Sequence, residues 1–312
     1  MRLLRRAVER LGRSLAAGAR RELRAPAAAL DRRLERVEAG LAAVREQLAG
    51  QARNAHVLAA LERLNRTVAG LAVDLLDLRH ATADPLGRHC TNLGSQNFED
   101  AILADIFARI GAGDRTFLEI GVGDGRENNT RLLLELGWRG AWIESDPAAL
   151  DAIAQRFAEP LASGRLRLVG QAITVANAAE LVAAAGVGAA VDLLSVDVDM
   201  NTSHIWRALP VSARVACVEY NASVPPQLEY EVAYAPDGVW DFSNRFGASL
   251  KTLERIGAAK DMALIGCDPM GVNAFFVARE LAERHFPGRH DAETHFEPPR
   301  YHLGGSRGHP RG

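Results

Sequence analysis

The stretch FLEIGVGDG, residues 117–125, decides the fold. A short apolar run ends in Glu119. Gly121, Gly123 and Gly125 follow at two-residue spacing, ahead of a helical pattern over Asn128–Leu136. Glycines at a strand-to-helix turn let the backbone bend sharply and approach a ligand at the helix N-terminus. Two chemistries diverge here. The dinucleotide fingerprint GxGxxG puts its third glycine at position 126, where this chain has Arg126. The spacing is instead ExGxGxG. An acid two residues before the first glycine repels a pyrophosphate and suits a cofactor with a cationic amino-acid moiety.

Strand and helix patterns alternate outward from this turn. Upstream, SQNFED (95–100) leads into an amphipathic helix with Ile102, Leu103, Ile106 and Ile110. Downstream, AWIE (141–144), LRLV (166–169), VDLLSVD (191–197) and VACVEY (215–220) read as buried strands. Helices are expected from Pro147 to about Phe157, over 178–185, around Ile205–Leu209 and over 248–258. Repeated alternation predicts a doubly wound, Rossmann-like α/β sheet covered on both faces. ALIGC (263–267) and NAFFVA (273–278) are joined only by a short turn around DPMG, so this last pair must be antiparallel.

Ligands of open α/β sheets bind outside the carboxyl ends of the strands, which makes the residues there the candidates. Glu144 ends the second strand, nineteen residues after Gly125. A carboxylate there can accept both hydroxyls of a ribose. SVDVDMN places Asp197 and Asp199 after the fourth strand, and VEYN places Glu219 and Asn221 at the end of the fifth. All four offer oxygen donors that a hard cation such as Mg²⁺ accepts. A DxD in a loop is a weak metal signal, however, and the reading assigns no metal ligand. His204 lies nearby as a further base.

The order EIGVGDG, WIESD, GQAIT, LLSVDVD, VEYN and GVNAFFV resembles a class I S-adenosylmethionine-dependent methyltransferase, in particular the FkbM-type branch found among sugar and glycan biosynthesis genes. The resemblance spans about residues 95–280. It implies a seven-stranded sheet with a reversed last strand. It implies that Glu119, Gly121, Gly123 and Gly125 surround the methionine part of the cofactor, that Glu144 takes the ribose with Ser145 beside it, that Gln171 and Ala172 border the adenine, and that Asp197 faces the reacting end. The chain departs from the pattern after Asp199. Met200, Asn201 and Thr202 stand where a Gly-Asn-Asp run is expected.

Residues 1–80 have a different composition. They hold sixteen arginines against nine acids, about +7, so the remainder carries about −9 of the net −2. That sign argues against a nucleic-acid-binding core. Leu30, Leu34, Val37, Leu41, Val44 and Leu48 repeat in steps of four and three, as do Val57, Leu61, Leu64, Val68, Leu71, Leu75 and Leu78. Such heptads predict a long helical coiled-coil region and a homo-oligomer, or else one amphipathic helix folded back on the main domain. Residues 1–24 form a basic amphipathic pattern suited to peripheral contact with an anionic membrane surface, or to a solvated helix end. No apolar run reaches the roughly 20 residues of a spanning helix. Cys90, Cys217 and Cys267 form no CxxC pair, so a reducing, cytoplasmic setting is the default. The expected domains are 1–80 helical, 81–94 linker, 95–280 catalytic and 281–312 a flexible tail rich in His, Pro, Gly and Arg.

These readings converge on a methyltransferase that moves a methyl group from S-adenosylmethionine to a small-molecule or glycan hydroxyl. A sugar hydroxyl needs a base or a cation beside it. Asp197, Asp199, His204 and Glu219 are the catalytic candidates in that order. The alternatives are an NAD-dependent oxidoreductase and a catalytically silent S-adenosylmethionine-binding assembly protein.

Overall fold

The computed structural model describes residues 93–301 continuously, together with Gly40, Leu61, Leu64, Thr67, Val68, Leu71 and Leu86. The chain divides into two compact units, Met1–Asp84 and Pro85–Gly312. Of the first, the described residues are all helical, and they include heptad positions Leu61, Leu64, Val68 and Leu71. The rest of the coiled-coil expectation, and the basic segment 1–24, lie outside the described residues. Among the described residues, no helix is long and apolar enough to cross a membrane.

The second unit is built on one mixed sheet of seven strands. These are β1 (Thr116–Ile120), β2 (Arg139–Glu144), β3 (Leu166–Gly170), β4 (Ala190–Val196), β5 (Ser212–Glu219), β6 (Met262–Cys267) and β7 (Asn273–Ala278), in the order β3-β2-β1-β4-β5-β7-β6. The first five run parallel and β7 is antiparallel to both neighbours. The sheet is thus Rossmann-like, with the reversed strand expected from the hairpin. Its strands are mostly apolar because both faces are covered. Leu118, Ile120, Leu194 and Val218 pack on one face against α5 (Ala178–Ala185), α6 (Thr202–Ala208) and α7 (Leu250–Ala259). Phe117, Trp142, Leu193, Cys217 and Phe275 pack on the other against α1 (Glu99–Ile110), α2 (Arg131–Glu135) and α3 (Pro147–Arg156). A separate short helix, α4 (Ala158–Ala162), follows α3. The strand order reverses between β1 and β4, which places the crevice at their carboxyl ends.

Two expectations need correction. The helix predicted over Asn128–Leu136 is only α2, Arg131–Glu135, because Asn128, Asn129 and Thr130 are turned onto Glu119. The flexible tail predicted from 281 is packed as far as residue 301. Here α8 (Arg279–His285) and α9 (Ala292–His295) bury Ala282, Phe286 and Ala292. The Asp291 carboxylate caps α9 by accepting Thr294 N at 2.9 Å. The Tyr220 hydroxyl then donates to Glu297 O at 2.6 Å, and Arg300 N to Met270 O at 2.7 Å, strapping the segment to the β6–β7 turn. Residues 302–312 lie outside the described part.

Candidate active site

Each glycine of the motif has its own physical reason. Gly121 has φ 80°, and a Cβ there would sit 1.6 Å from the Asp197 carbonyl oxygen, so the loops after β1 and β4 touch backbone to backbone. Gly125 has φ 74°, and its Cβ would lie 2.7 Å from the Phe157 ring. A Cβ on Gly123 would meet nothing within 4 Å, so this residue faces open space. Its N–H donates to Glu144 Oε2 at 2.8 Å, tying the loop to the end of β2.

Glu119 does more than was read from the sequence. It is buried, and its carboxylate accepts Asn129 N at 2.8 Å, Asn128 Nδ2 at 2.7 Å, Thr130 N at 3.0 Å and Thr130 Oγ1 at 2.5 Å. Burial raises its pKa and these hydrogen bonds oppose the rise. The N–H groups of Asn129 and Thr130, just ahead of α2, are therefore already taken by a carboxylate.

A cavity of about 510 Å³ opens at this crevice, bounded by the segment 96–99, the loop 121–129, Asp197 and Asn273. Its lining holds five acids, Glu99, Glu119, Asp124, Glu127 and Asp197, against one base, Arg126. Two asparagines in the wall are oriented by these acids. Asn128 donates its amide to Glu119, and Asn273 donates to Glu99 Oε1 at 2.9 Å. Both Oδ1 atoms are left buried with no hydrogen-bond donor. The wall thus has acceptors and negative charge waiting for a donor, which fits a cationic ligand.

The segment SQNFED supplies much of this wall, and its role was not read from the sequence. The Asp100 carboxylate accepts the N–H groups of Leu93, Gly94 and Ser95 at 2.6–3.0 Å. Ser95 Oγ accepts Asp100 N at 3.0 Å, completing the clasp. The burial of two adjacent acids, Glu99 and Asp100, at the start of α1 has no sequence signature. They read equally well as surface charge favouring the helix dipole.

The acids after β4 and β5 converge. Asp197, Asp199 and Glu219 each present a carboxylate oxygen, all within 4.8 Å of one another. Burial, with the Asp199 charge beside it, pushes the half-buried Asp197 carboxyl up to about 7. Burial and these two neighbours hold Glu219 well above the usual carboxylate range, and Asp197 and Glu219 hydrogen-bond to each other. Such a pair keeps one proton between two carboxyls. Thr202 Oγ1 lies 3.2 Å from Glu219 Oε2 and donates to it. Tyr301 reaches the same surroundings from the C-terminal strap, its phenol pushed up to about 12 by burial and the Glu219 charge.

His204 does not join them. It lies two residues beyond Thr202 on α6, about 200° around the helix. Its Nε2 pairs with Val232 O at 2.8 Å, and its Nδ1 lies 3.8 Å from Glu231. Asn221 is also committed elsewhere. It is fully buried, and its Nδ2 donates to the carbonyls of Asn244 and Phe246, each at 2.9 Å.

The expected ribose and adenine residues lie outside the cavity wall. Glu144 accepts Ser145 N at 2.7 Å and Asp146 N at 2.9 Å on Oε1, besides Gly123 N on Oε2. Three of about four lone-pair sites are occupied, so taking both ribose hydroxyls requires releasing a backbone bond. Ser145, Gln171 and Ala172 are exposed at the carboxyl ends of β2 and β3. The Ala172 carbonyl accepts Asn177 Nδ2 at 2.9 Å.

No protein-family model matches the chain, and no curated protein matches it in sequence. Among solved structures, it is similar to the pyocyanin biosynthetic protein PhzM, with 14% identity and a TM-score of 0.35 over 56% of this chain and 53% of that one. The O-methyltransferase NcsB1 from neocarzinostatin biosynthesis, solved with S-adenosyl-L-homocysteine and 1,4-dihydroxy-2-naphthoic acid, gives 14% identity and a TM-score of 0.35 over 56% and 52%. Spermidine synthase from Thermotoga maritima gives 16% and 0.34 over 66% and 72%. The chain spans about half the length of the first two.

Proposed function

We propose that the chain is an S-adenosylmethionine-dependent methyltransferase acting on a hydroxyl of a sugar or glycan. The observation that carries the reading is the acid-lined cavity at the switch point of the sheet, with two buried carbonyl oxygens lacking a donor. A primary ammonium brings three N–H donors and a positive charge, which answers both deficits. The same wall disfavours NAD, because its pyrophosphate would meet five acids.

S-adenosylmethionine, when bound, supplies a methyl group on a positively charged sulfur. The residues supply alignment, exclusion of water and a proton acceptor. Asp197 belongs both to the cavity and to the carboxylate cluster, so it joins the donor side to the acceptor side. With the proton of the pair on Glu219, the deprotonated Asp197 takes the proton of the attacking hydroxyl. Where Mg²⁺ binds, Asp197, Asp199 and Glu219 would hold it, and it would supply positive charge against the deprotonated hydroxyl; the all-oxygen donor set fits that ion. The heptads of residues 30–78 support self-association through the first unit, which a truncation beginning near Asn92 tests by its loss of oligomers.

Methyl-labelled S-adenosylmethionine incubated with a panel of methyl glycosides tests the function. Label retained in a glycoside as a base-stable methyl ether is the expected result. No label in any glycoside, with label instead in amine or carboxylate acceptors assayed in parallel, would overturn the hydroxyl assignment.

A further inference from the structure

Residues 235–246 form a loop fastened next to the carboxylate cluster by two buried asparagines. Asn201, two positions after Asp199, donates Nδ2 to Ala235 O at 2.7 Å and accepts Ala235 N on Oδ1 at 3.3 Å. Asn221, two positions after Glu219, holds the other foot through the carbonyls of Asn244 and Phe246. A Cβ on Gly247 would lie 3.4 Å from the backbone carbonyl oxygen of Asp199, so the chain leaving the loop returns against the backbone of that residue.

Between its feet the loop turns apolar side chains outward. Val239 is 84% exposed and Phe242 is 85% exposed. The Trp240 ring lies 4.8 Å from Phe242 and 5.8 Å from Phe246. Trp240 Nε1 donates to Ser243 O at 2.8 Å, so its polar edge is satisfied within the loop. Phe242 has φ 64°, a conformation bulky side chains rarely adopt. Backbone held in a disfavoured region while presenting a large apolar ring to water is characteristic of a ligand-contacting segment.

We propose that this loop is the acceptor platform, with Trp240 and Phe242 the residues that recognise a saccharide ring. The proposal rests on the reading of the carboxylate cluster as the reaction centre. A pyranose has a face of C–H groups and a rim of hydroxyls. Aromatic rings bury the first, and carboxylates accept from the second. Asn201 and Asn221 anchor the feet of the loop within two positions of Asp199 and Glu219, which brings the two kinds of surface to the same edge of the sheet. A flat aromatic acceptor would use the rings but would leave most of the carboxylate oxygens without donors.

The test uses the full-length protein and acrylamide quenching of tryptophan fluorescence. Trp138, Trp142 and Trp206 are buried, so quenching reports on Trp240. Methyl glucoside, methyl mannoside and methyl rhamnoside serve as probes, with 2-naphthol as the aromatic comparison. At least one glycoside is expected to shield Trp240. Phe242→Ala should weaken that glycoside's binding tenfold or more and raise its KM, with unchanged Tm and unchanged S-adenosylhomocysteine affinity. Shielding by naphthol alone, no shielding by any glycoside, or glycoside binding indifferent to Phe242→Ala would overturn the proposal. Calorimetry with S-adenosylhomocysteine on the unsubstituted protein separates the two readings. Cofactor binding without shielding overturns the platform alone, whereas shielding without cofactor binding overturns the transferase and leaves a saccharide-binding loop.

Discussion

Asn273 donates its amide to Glu99 at 2.9 Å across 174 positions of sequence, fixing which way the amide faces at the start of β7. The bond spends the NH₂ group on a buried carboxylate and leaves the carbonyl oxygen without a donor in the wall of the cavity. Asn128 does the same through Glu119. Two asparagines are thus turned into fixed acceptors by two acids.

Asn273→Ala should therefore weaken S-adenosylhomocysteine binding by about 1.5–3 kcal/mol, the worth of a hydrogen bond to a charged group. Binding of 5′-methylthioadenosine, which lacks the amino-acid part, should be unchanged. Calorimetry on both ligands checks this, and an equal loss for both would show that the substitution merely loosened the site.

Asp197→Asn should lower turnover by about 10²–10⁴-fold, the usual worth of a positioned acid or base, while S-adenosylhomocysteine affinity stays within a few-fold. His204→Ala should leave kcat nearly unchanged, because His204 is engaged with Val232. The reverse pattern would place the base on α6. Full activity in the presence of a chelator would remove Mg²⁺ and leave the proton acceptor standing.

The raised carboxyls also set a pH dependence of stability. Asp197 titrates near 7 when folded, against 3.8 for an unperturbed aspartate, so between these values the folded chain binds more protons than the unfolded one. Stability then falls as pH rises from about 4 to 7, by on the order of 2 kcal/mol once the solvent reaching a half-buried group is allowed for. Denaturant melts in metal-free buffer at pH 5 and pH 8 should show this fall. Asp197→Asn should flatten it, and a slope unchanged by the substitution would count against the shared proton.

Gly121→Ala should cost about 3 kcal/mol or more, because the new Cβ meets a carbonyl oxygen and the backbone has φ 80°. Gly123→Ala, which meets nothing, should cost only the backbone strain of about 1 kcal/mol, yet it should impair cofactor binding. Thermal melts paired with calorimetry separate the two glycines.

The sheet was legible because strands buried on both faces are mostly apolar, as in 215–218. The hairpin was legible because a short turn permits only an antiparallel pairing. Asp197, Asp199 and Glu219 were legible as a group because strand ends converge on one edge. The packed C-terminal strap was not, since it rests on a few scattered apolar residues, chiefly Ala282, Phe286 and Ala292, within polar sequence. That His204 lies apart from the three carboxylates was not legible, because nearness in sequence says nothing of helix face. The acid–asparagine pairs were hidden because each joins residues distant in the chain, Glu99 with Asn273 most of all.

Titration calorimetry of the full-length chain with S-adenosylhomocysteine and with NAD under identical conditions distinguishes the two cofactors. The acid-lined cavity predicts saturable binding of S-adenosylhomocysteine and none of NAD. Saturable NAD binding without S-adenosylhomocysteine binding would contradict the account.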